Sequence, residues 1–252
     1  MFLSRGFVIK GMAVIVLAVA AFLASGCGGP EERIKERANM TPEPTPTPGE
    51  RDISGSLQVE GTYPDRPDPY HGALSITPTG DAYSFKWTTT KGSLVGTGVQ
   101  YGNAAAVSTA KTGGGKGCGV ALYKILPGGD LDGRTVWFGA TKFGTEKAEK
   151  LDGATFTGTY SVKGTRADDG SGYSAKLKVS KDGEGYHMEW FYDGSVPVAV
   201  GFAIWRGSTA AVSMGGNDCG FALYDISGSG NLDGFWGGQK QVMFGKETAK
   251  RQ

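Results

Sequence analysis

The strongest constraint on the fold of this chain is an internal duplication. Six blocks of residues recur in the same order in its two halves. The matched blocks are 61–63 and 158–160, 83–87 and 186–190, 105–108 and 210–213, 118–123 and 219–224, 131–133 and 232–234, and 143–146 and 244–247. Self-similarity of this kind indicates that one structural unit is built twice. We therefore predict two repeats, residues 53–150 and 151–250, with a boundary near Leu151, Asp152 and Gly153.

Within each repeat the hydrophobic period is two. Residues 83–87 alternate between aromatic and polar side chains, and residues 186–190 repeat that alternation. Such a pattern predicts a strand with one buried face. Glycine-containing turns recur about every 8 to 12 residues, which is typical of an antiparallel meander. About eight strands are predicted per repeat, and in the first repeat they lie near 56–63, 72–78, 82–89, 94–101, 104–110, 118–125, 131–138 and 143–148.

Eight short strands in one meander favour a closed barrel, because closure removes the exposed edges of the sheet. Glycine is abundant, with 43 residues of 252, and Gly96, Gly98, Gly133 and Gly139 would allow the bends that closure requires. The predicted fold is all-β, with two tandem eight-stranded antiparallel barrels, one from each repeat. A two-sheet sandwich in each repeat is the alternative. The interior of an eight-stranded barrel holds side chains or one small ligand.

The first 26 residues have the layout of a secretory signal peptide. Arg5 and Lys10 precede an apolar run over 12–23, which is shorter than the roughly 20 residues of a transmembrane helix. Ala-Ser-Gly then leads directly to Cys27. This arrangement resembles the bacterial lipoprotein signal, which implies that Cys27 becomes the first mature residue and carries acyl chains such as palmitate. An ordinary signal peptide followed by an incidental cysteine is the alternative.

The segment after Cys27 has the composition of a tether. Residues 28–52 contain the sequence TPEPTPTPGE, and Thr-Pro repeats keep a chain extended and solvated without burying apolar surface. We therefore predict a disordered tether over residues 27–52 that follows a lipid anchor. The predicted location is the bacterial cell envelope, at the outer membrane or the cell surface.

The repeated motifs also suggest a family. Residues 61–63 (GTY), 83–87 (YSFKW), 118–123 (CGVALY), the LDG at 131–133 and the FGTE at 143–146 resemble a group of small secreted bacterial proteins labelled fibronectin-binding protein. Avidin-like and lipocalin-like barrels are the nearest architectural relatives of that group. The resemblance covers residues 55–248 and implies an extracellular binding role.

Several classes of function are disfavoured by composition. The 26 Lys and Arg residues are balanced by 25 Asp and Glu residues, so nothing indicates a nucleic-acid partner. His71 and His187 have no Cys or second His at ligand spacing, which argues against a metal or another cofactor. No nucleophile-elbow sequence is present. The chain is therefore not expected to be an enzyme.

The repeated acidic residues could form a catalytic pair or occupy turns. Asp132 and Asp233 lie between Leu and Gly in equivalent positions, where a carboxylate can bond the backbone of a turn or a strand end. A pair of catalytic carboxylates within one barrel would need Glu146 or Glu247 as its second member. We predict that the two aspartates are residues of a turn or a strand end rather than members of a catalytic pair.

Most of the large aromatic residues recur in both repeats. If they point inward, they either plug the barrels or line a cavity for a ligand. Trp205 has no counterpart in the first repeat and is expected to be an exposed contact residue or a cover at the barrel rim. The candidate ligand or core aromatics are Tyr83, Trp87, Trp137, Tyr186, Trp190 and Trp236.

Cys118 and Cys219 open equivalent strands. The strand after Cys118 is apolar on both faces, so both faces should be covered, one by the barrel interior and the other by the neighbouring repeat. A pseudo-twofold axis between the repeats would bring the two cysteines together, and they could then form a disulfide in an oxidising compartment. Two small buried thiols are the alternative.

Taken together, these features predict a membrane-anchored, non-enzymatic envelope lipoprotein that binds a protein or matrix partner. A carrier of a small apolar ligand inside a barrel, or a structural envelope protein, is the alternative. A cavity lined by Trp87 or Trp190 would favour the carrier. Filled barrels with an exposed aromatic patch would favour the interaction protein.

Overall fold

The computed structural model describes residues 50–66, 68–216, 218–239, 241 and 243–252. The first repeat contains β1 Gly55–Thr62, β2 Pro69–Thr79, β3 Ala82–Thr89, β4 Gly92–Tyr101, β5 Ala104–Lys111, β6 Gly119–Ile125, β7 Leu131–Trp137 and β8 Gly144–Lys150. The second contains β9 Gly158–Thr165, β10 Gly172–Asp182, β11 Gly185–Phe191, β12 Ala199–Arg206, β13 Thr209–Met214, β14 Gly220–Ile226, β15 Leu232–Gly238 and β16 Gly245–Arg251. The described residues include no helix that could cross a membrane. The predicted signal peptide, Cys27 and the tether up to residue 49 lie outside them.

The strands close into two antiparallel barrels of eight strands each. The first barrel consists of β1–β5 and β14–β16, in the order β1-β16-β15-β14-β5-β4-β3-β2. The second barrel consists of the consecutive strands β6–β13, and it closes where β13 pairs with β6. These findings confirm the all-β prediction, the eight strands per repeat and the barrel, and they exclude a sandwich.

The prediction that each repeat closes its own barrel is wrong. The chain leaves the first barrel at the end of β5. The free edge of β5 pairs with β14 instead of β6, with Ala106 opposite Leu223. The barrels therefore do not coincide with residues 53–150 and 151–250, because β6–β8 of the first repeat join β9–β13 of the second. The physical reason is that β6 and β14 have nearly the same sequence. Either one can satisfy the hydrogen bonds and the apolar face of β5.

The two barrels pack against each other through a shared apolar layer. Val120 and Leu122 of β6 belong to this layer, together with Phe221 and Leu223 of β14. The intervening residues of β6, including Tyr123, point into the second barrel. The prediction that this strand is covered on both faces is confirmed.

A disulfide lies where the chain passes between the barrels. Cys118 precedes β6, on the way into the second barrel, and Cys219 precedes β14, on the way back into the first. The two cysteines are bonded, with their Cα atoms 5.5 Å apart, within the range that a disulfide spans. The bridge that was envisaged from the sequence is thus present, and it joins the two crossing segments.

One of the six sequence matches is out of register in space. A Cβ on Gly61 would lie 2.3 Å from Cζ of Tyr70, and a Cβ on Gly164 would lie 2.3 Å from Cζ of Tyr173. Gly61 therefore corresponds to Gly164 rather than to Gly158. Both glycines are required because a tyrosine ring lies directly over the backbone.

The last residues assigned to the tether belong to the folded part of the chain. A carboxylate oxygen of Glu50 accepts a hydrogen bond from the backbone N–H of Gly102 at 3.0 Å and lies 3.1 Å from Arg134. Asp52 accepts one from the N–H of Ser54 at 2.8 Å. Ile53, which follows, is fully buried in the core of the first barrel. Because Gly102 belongs to the first barrel and Arg134 to the second, Glu50 attaches the end of the tether to both barrels.

Candidate ligand-binding site

Each barrel encloses one buried glutamate. Glu146 lies in β8 and Glu247 in β16, and they are only 3% and 4% exposed. Both strands alternate buried and accessible residues, and the glutamates fall on the inward positions, two residues before a buried alanine. Alternation therefore places an acidic side chain inside each barrel. A carboxylate in such a place needs hydrogen-bond partners, because burying an unpaired charge is costly.

In the first barrel, three donors surround the carboxylate of Glu247. The hydroxyl of Tyr70 donates to Oε2 at 2.6 Å. The hydroxyl of Tyr224 and the indole N–H of Trp87 donate to Oε1, at 2.6 Å and 2.9 Å. Tyr70 and Trp87 come from the first repeat, whereas Tyr224 and Glu247 come from the second. The network therefore depends on the exchange of strands.

The second barrel repeats this arrangement around Glu146. The hydroxyl of Tyr173 donates to Oε2 at 2.5 Å. The indole N–H of Trp190 donates to Oε1 at 3.2 Å, and Oε1 also accepts from the hydroxyl of Tyr123. Here the glutamate and Tyr123 belong to the first repeat, and the other two residues belong to the second.

Burial dominates the electrostatics of both networks. Desolvation raises the pKa of Glu146 and Glu247 above that of an ordinary glutamic acid, although the donated hydrogen bonds act in the opposite direction. Burial and the neighbouring carboxylate raise the pKa of Tyr123 and Tyr224 well above 10.0. The tyrosines therefore remain protonated donors. A tryptophan N–H can only donate, so each glutamate acts as the acceptor.

The two barrels differ at the mouth above the glutamate. In the first barrel Trp236 of β15 covers the mouth, and the ring of Tyr63 packs edge-on against it, with centroids 5.2 Å apart. Tyr63 also packs against Tyr70, at 5.4 Å. In the second barrel Thr135 pairs with Gly144 as Trp236 pairs with Gly245, so a threonine replaces the tryptophan.

A cavity of about 160 Å³ opens at the mouth of the second barrel. Arg166 follows β9 as Tyr63 follows β1, and its exposed side chain forms part of the cavity lining. The cavity reaches Glu146, which forms part of its lining. The other lining residues that bear on the argument are Thr135, Trp137, Tyr173, Trp190 and Tyr192.

The predicted aromatic residues have different roles in the structure. Trp87 and Trp190 are buried and bind the glutamates, as described above. Trp137 is 48% exposed, so it is not a core residue, and it lies at the edge of the cavity. Three others belong to the cores or pack against them: Tyr83, Tyr186 and Trp236.

Trp205 is a cover rather than an exposed contact. Its ring lies 5.8 Å from that of Phe156 and 5.6 Å from that of Tyr186, measured between centroids. The indole N–H donates to the carbonyl of Gly207 at 2.8 Å. Trp205 thus packs against the core of the second barrel, as a rim cover would.

The two repeated aspartates are the second residues of β7 and β15, so they lie at strand ends rather than in turns. Asp132 and Asp233 lie within β7 and β15, each between an inward leucine and an inward glycine. Asp132 accepts a hydrogen bond from the hydroxyl of Tyr101 at 2.6 Å, and Asp233 accepts one from Arg206 at 2.9 Å. Because alternation puts both aspartates on the outer faces, neither pairs with a buried glutamate.

Sequence reasoning considered Glu146 and Glu247 only as members of a catalytic pair, and it missed their tyrosine partners. A usable signal was present, since FGxE and the tyrosine of CGxALY both recur. Within the described ranges, no group of three or more His, Cys, Asp or Glu residues could hold a metal ion. No family model matches the chain, and neither the curated proteins nor the solved structures include a significant match.

Proposed function

We propose that this protein is a non-enzymatic, lipid-anchored binding protein of the bacterial cell envelope that takes a small ligand at the mouth of its second barrel. The observation that carries the proposal is the cavity over Glu146. The same network in the first barrel is sealed by Trp236 and Tyr63. One copy of a duplicated unit is thus closed and the other open, as expected when one barrel acts as scaffold and the other binds.

The position of the cavity favours a carrier over a purely structural protein. Trp190 and Tyr173 form part of the wall, and both are held in place by hydrogen bonds to Glu146. A site whose side chains are fixed before binding loses little conformational entropy when a ligand enters. The sequence supports the rest of the proposal through the lipoprotein-like signal before Cys27 and the Thr-Pro tether.

A protein or matrix partner is the second candidate, and exposed apolar residues beside the cavity favour it. Trp137, Tyr192 and Val198 line the cavity and are 48%, 46% and 54% exposed. Val196, two residues before Val198, is 74% exposed. Exposed apolar residues gathered in one place often mark a contact surface. The resemblance to proteins labelled fibronectin-binding points in the same direction.

Two variants test the ligand site. Thr135→Trp copies the closed mouth of the first barrel and should abolish small-ligand binding, measured as ligand-induced thermal stabilisation of the full chain. The converse pair Trp236→Thr and Tyr63→Arg should open the first barrel and raise the stoichiometry from one ligand to two. A compound that still binds the Thr135→Trp protein with unchanged affinity would place the site elsewhere.

Val196→Asp alters the exposed patch at a residue outside the cavity lining and tests the second candidate. It should weaken capture of a protein partner from envelope or host extracts while small-ligand binding persists. Cys27→Ser tests the anchor, because the unacylated protein should leave the membrane fraction. A Cys27→Ser protein that still partitions with lipid would refute the anchor.

A further inference from the structure

The chemistry of the cavity narrows the class of ligand, and this step rests on the proposed function. The lining contains the carboxylate of Glu146 and four aromatic residues, Trp137, Tyr173, Trp190 and Tyr192. We propose that the second barrel binds a small organic cation, an ammonium group attached to an apolar body, with the ammonium directed at Glu146 and the apolar body against Trp190 and Tyr192.

The first argument is that Glu146 has no cationic partner among the described residues. Its three partners are the neutral donors Tyr123, Tyr173 and Trp190. No Lys, Arg or His in the described part of the chain forms an ion pair with it. A carboxylate accepts about four hydrogen bonds, and within the described ranges Oε2 accepts a single one, from Tyr173. An ammonium in the cavity would supply a further donor and the missing opposite charge.

The second argument is that the walls suit a cation. The faces of tryptophan and tyrosine rings attract ammonium and guanidinium groups. One cation already lies at this wall, since the guanidinium carbon of Arg166 is 5.9 Å from the centroid of the Tyr173 ring. Arg166 is exposed, so solvent screens its charge and it repels an incoming cation only weakly. Asp168 is also exposed at the mouth, so its charge is screened in the same way and offsets that of Arg166.

The third argument is size. The cavity of about 160 Å³ is similar to an engineered apolar cavity of about 150 Å³ that holds one benzene molecule. An apolar body of about that size therefore fills the cavity, and longer substituents must extend through the mouth. Benzylamine is a suitable probe, and benzyl alcohol and benzoate are its neutral and anionic counterparts of nearly the same shape.

The experiment is calorimetric titration of the full chain with these three probes at neutral pH. We expect benzylamine to bind on the order of tenfold more tightly than benzyl alcohol, because it adds a charge-assisted hydrogen bond and a cation–π contact, and we expect benzoate not to bind. Glu146→Gln should remove the preference for the amine. Glu247→Gln is the matched control in the sealed barrel and should leave the preference intact.

The outcomes are distinguishable. If benzyl alcohol and benzylamine bind the wild-type protein equally well, and Thr135→Trp abolishes the binding of both, the proposal of a cationic ligand is refuted but the cavity remains a ligand site. Preferential binding of benzoate would also refute the proposal of a cationic ligand. If none of the three probes binds, the proposal of a cationic ligand is refuted, and the result also counts against the cavity as a ligand site. The comparison of probes on the wild-type protein needs no variant, so it decides the question even if Glu146→Gln does not fold.

Discussion

The disulfide between Cys118 and Cys219 should contribute a large share of the stability of this chain. It closes a loop of 101 residues, for which the chain-entropy model gives a stabilisation of about 4.7 kcal/mol. Unfolding about 200 residues changes the entropy by about 0.4 kcal/mol per kelvin, so that loss corresponds to a fall in Tm of about 11 °C. The bridge also joins the two segments that pass between the barrels, so its effect should reach both of them.

The assay is thermal unfolding followed by circular dichroism in a Cys27→Ser background, which removes the third thiol. Oxidised protein is compared with the same protein after reduction, and with the double variant Cys118→Ser and Cys219→Ser. The reduced protein keeps both sulfur atoms, so it controls for the packing that the serine variant alters. Equal Tm values before and after reduction, or two free thiols in protein from an oxidising compartment, would refute the reasoning.

Three further predictions concern the exchange of strands and the buried networks. Cleavage at a protease site placed in the connection 151–157 should leave one particle on size-exclusion chromatography, even after the disulfide is reduced, because each barrel contains strands from both fragments. Separation of the two fragments would contradict the topology. Burial raises the pKa of Glu247 above 4.5 in the folded state, so the stability of the wild-type protein should fall as pH rises from about 4.5 and level off above the raised pKa. Glu247→Gln should lose that part of the pH dependence. Chemical denaturation across this pH range measures the free energy of unfolding of both proteins, and parallel curves would argue against a raised pKa. Gly61→Ala would place a Cβ 2.3 Å from Cζ of Tyr70 and displace the tyrosine hydroxyl from Glu247, which should lower the free energy of unfolding by about 2 kcal/mol or more. Gly228→Ala is the control, because a Cβ there meets nothing within 4 Å. Equal stabilities of the two variants would show that Tyr70 adjusts freely.

Much of the fold could be predicted because it is encoded locally. The alternation in residues 83–87 and 186–190 identifies the inward side chains, and the apolar strand after Cys118 indicates a face covered on each side. Pairing between strands is not encoded in this way. Because β6 and β14 carry almost the same residues, no local pattern shows which of them β5 accepts.

The candidate site was harder to predict, since its parts are far apart in the chain. β8, with the sequence GTEKAEK, looks like a solvated edge strand, and only its partners show that Glu146 points inward. The corresponding contact in the first barrel joins Tyr70 to Glu247 across 177 residues. The difference between the two mouths became clear only from the strand register, which makes Trp236 equivalent to Thr135 and not to Trp137, although LDG is followed by Phe-Trp in one repeat and by Arg-Thr in the other.

The insertion of the second barrel between β5 and β14 has a consequence for the order of folding. Strands β6–β13 are consecutive, so the second barrel can form from contacts that are close in the chain. The first barrel must wait for its last strand, and its closing contacts include one from Arg251 to Asp52 across 199 residues. Contacts of such long range form slowly because the intervening chain must first be ordered. A chain that emerges with its N-terminus first therefore completes the second barrel before the first. Strands β1–β5 remain without their closing strands until synthesis or translocation is finished.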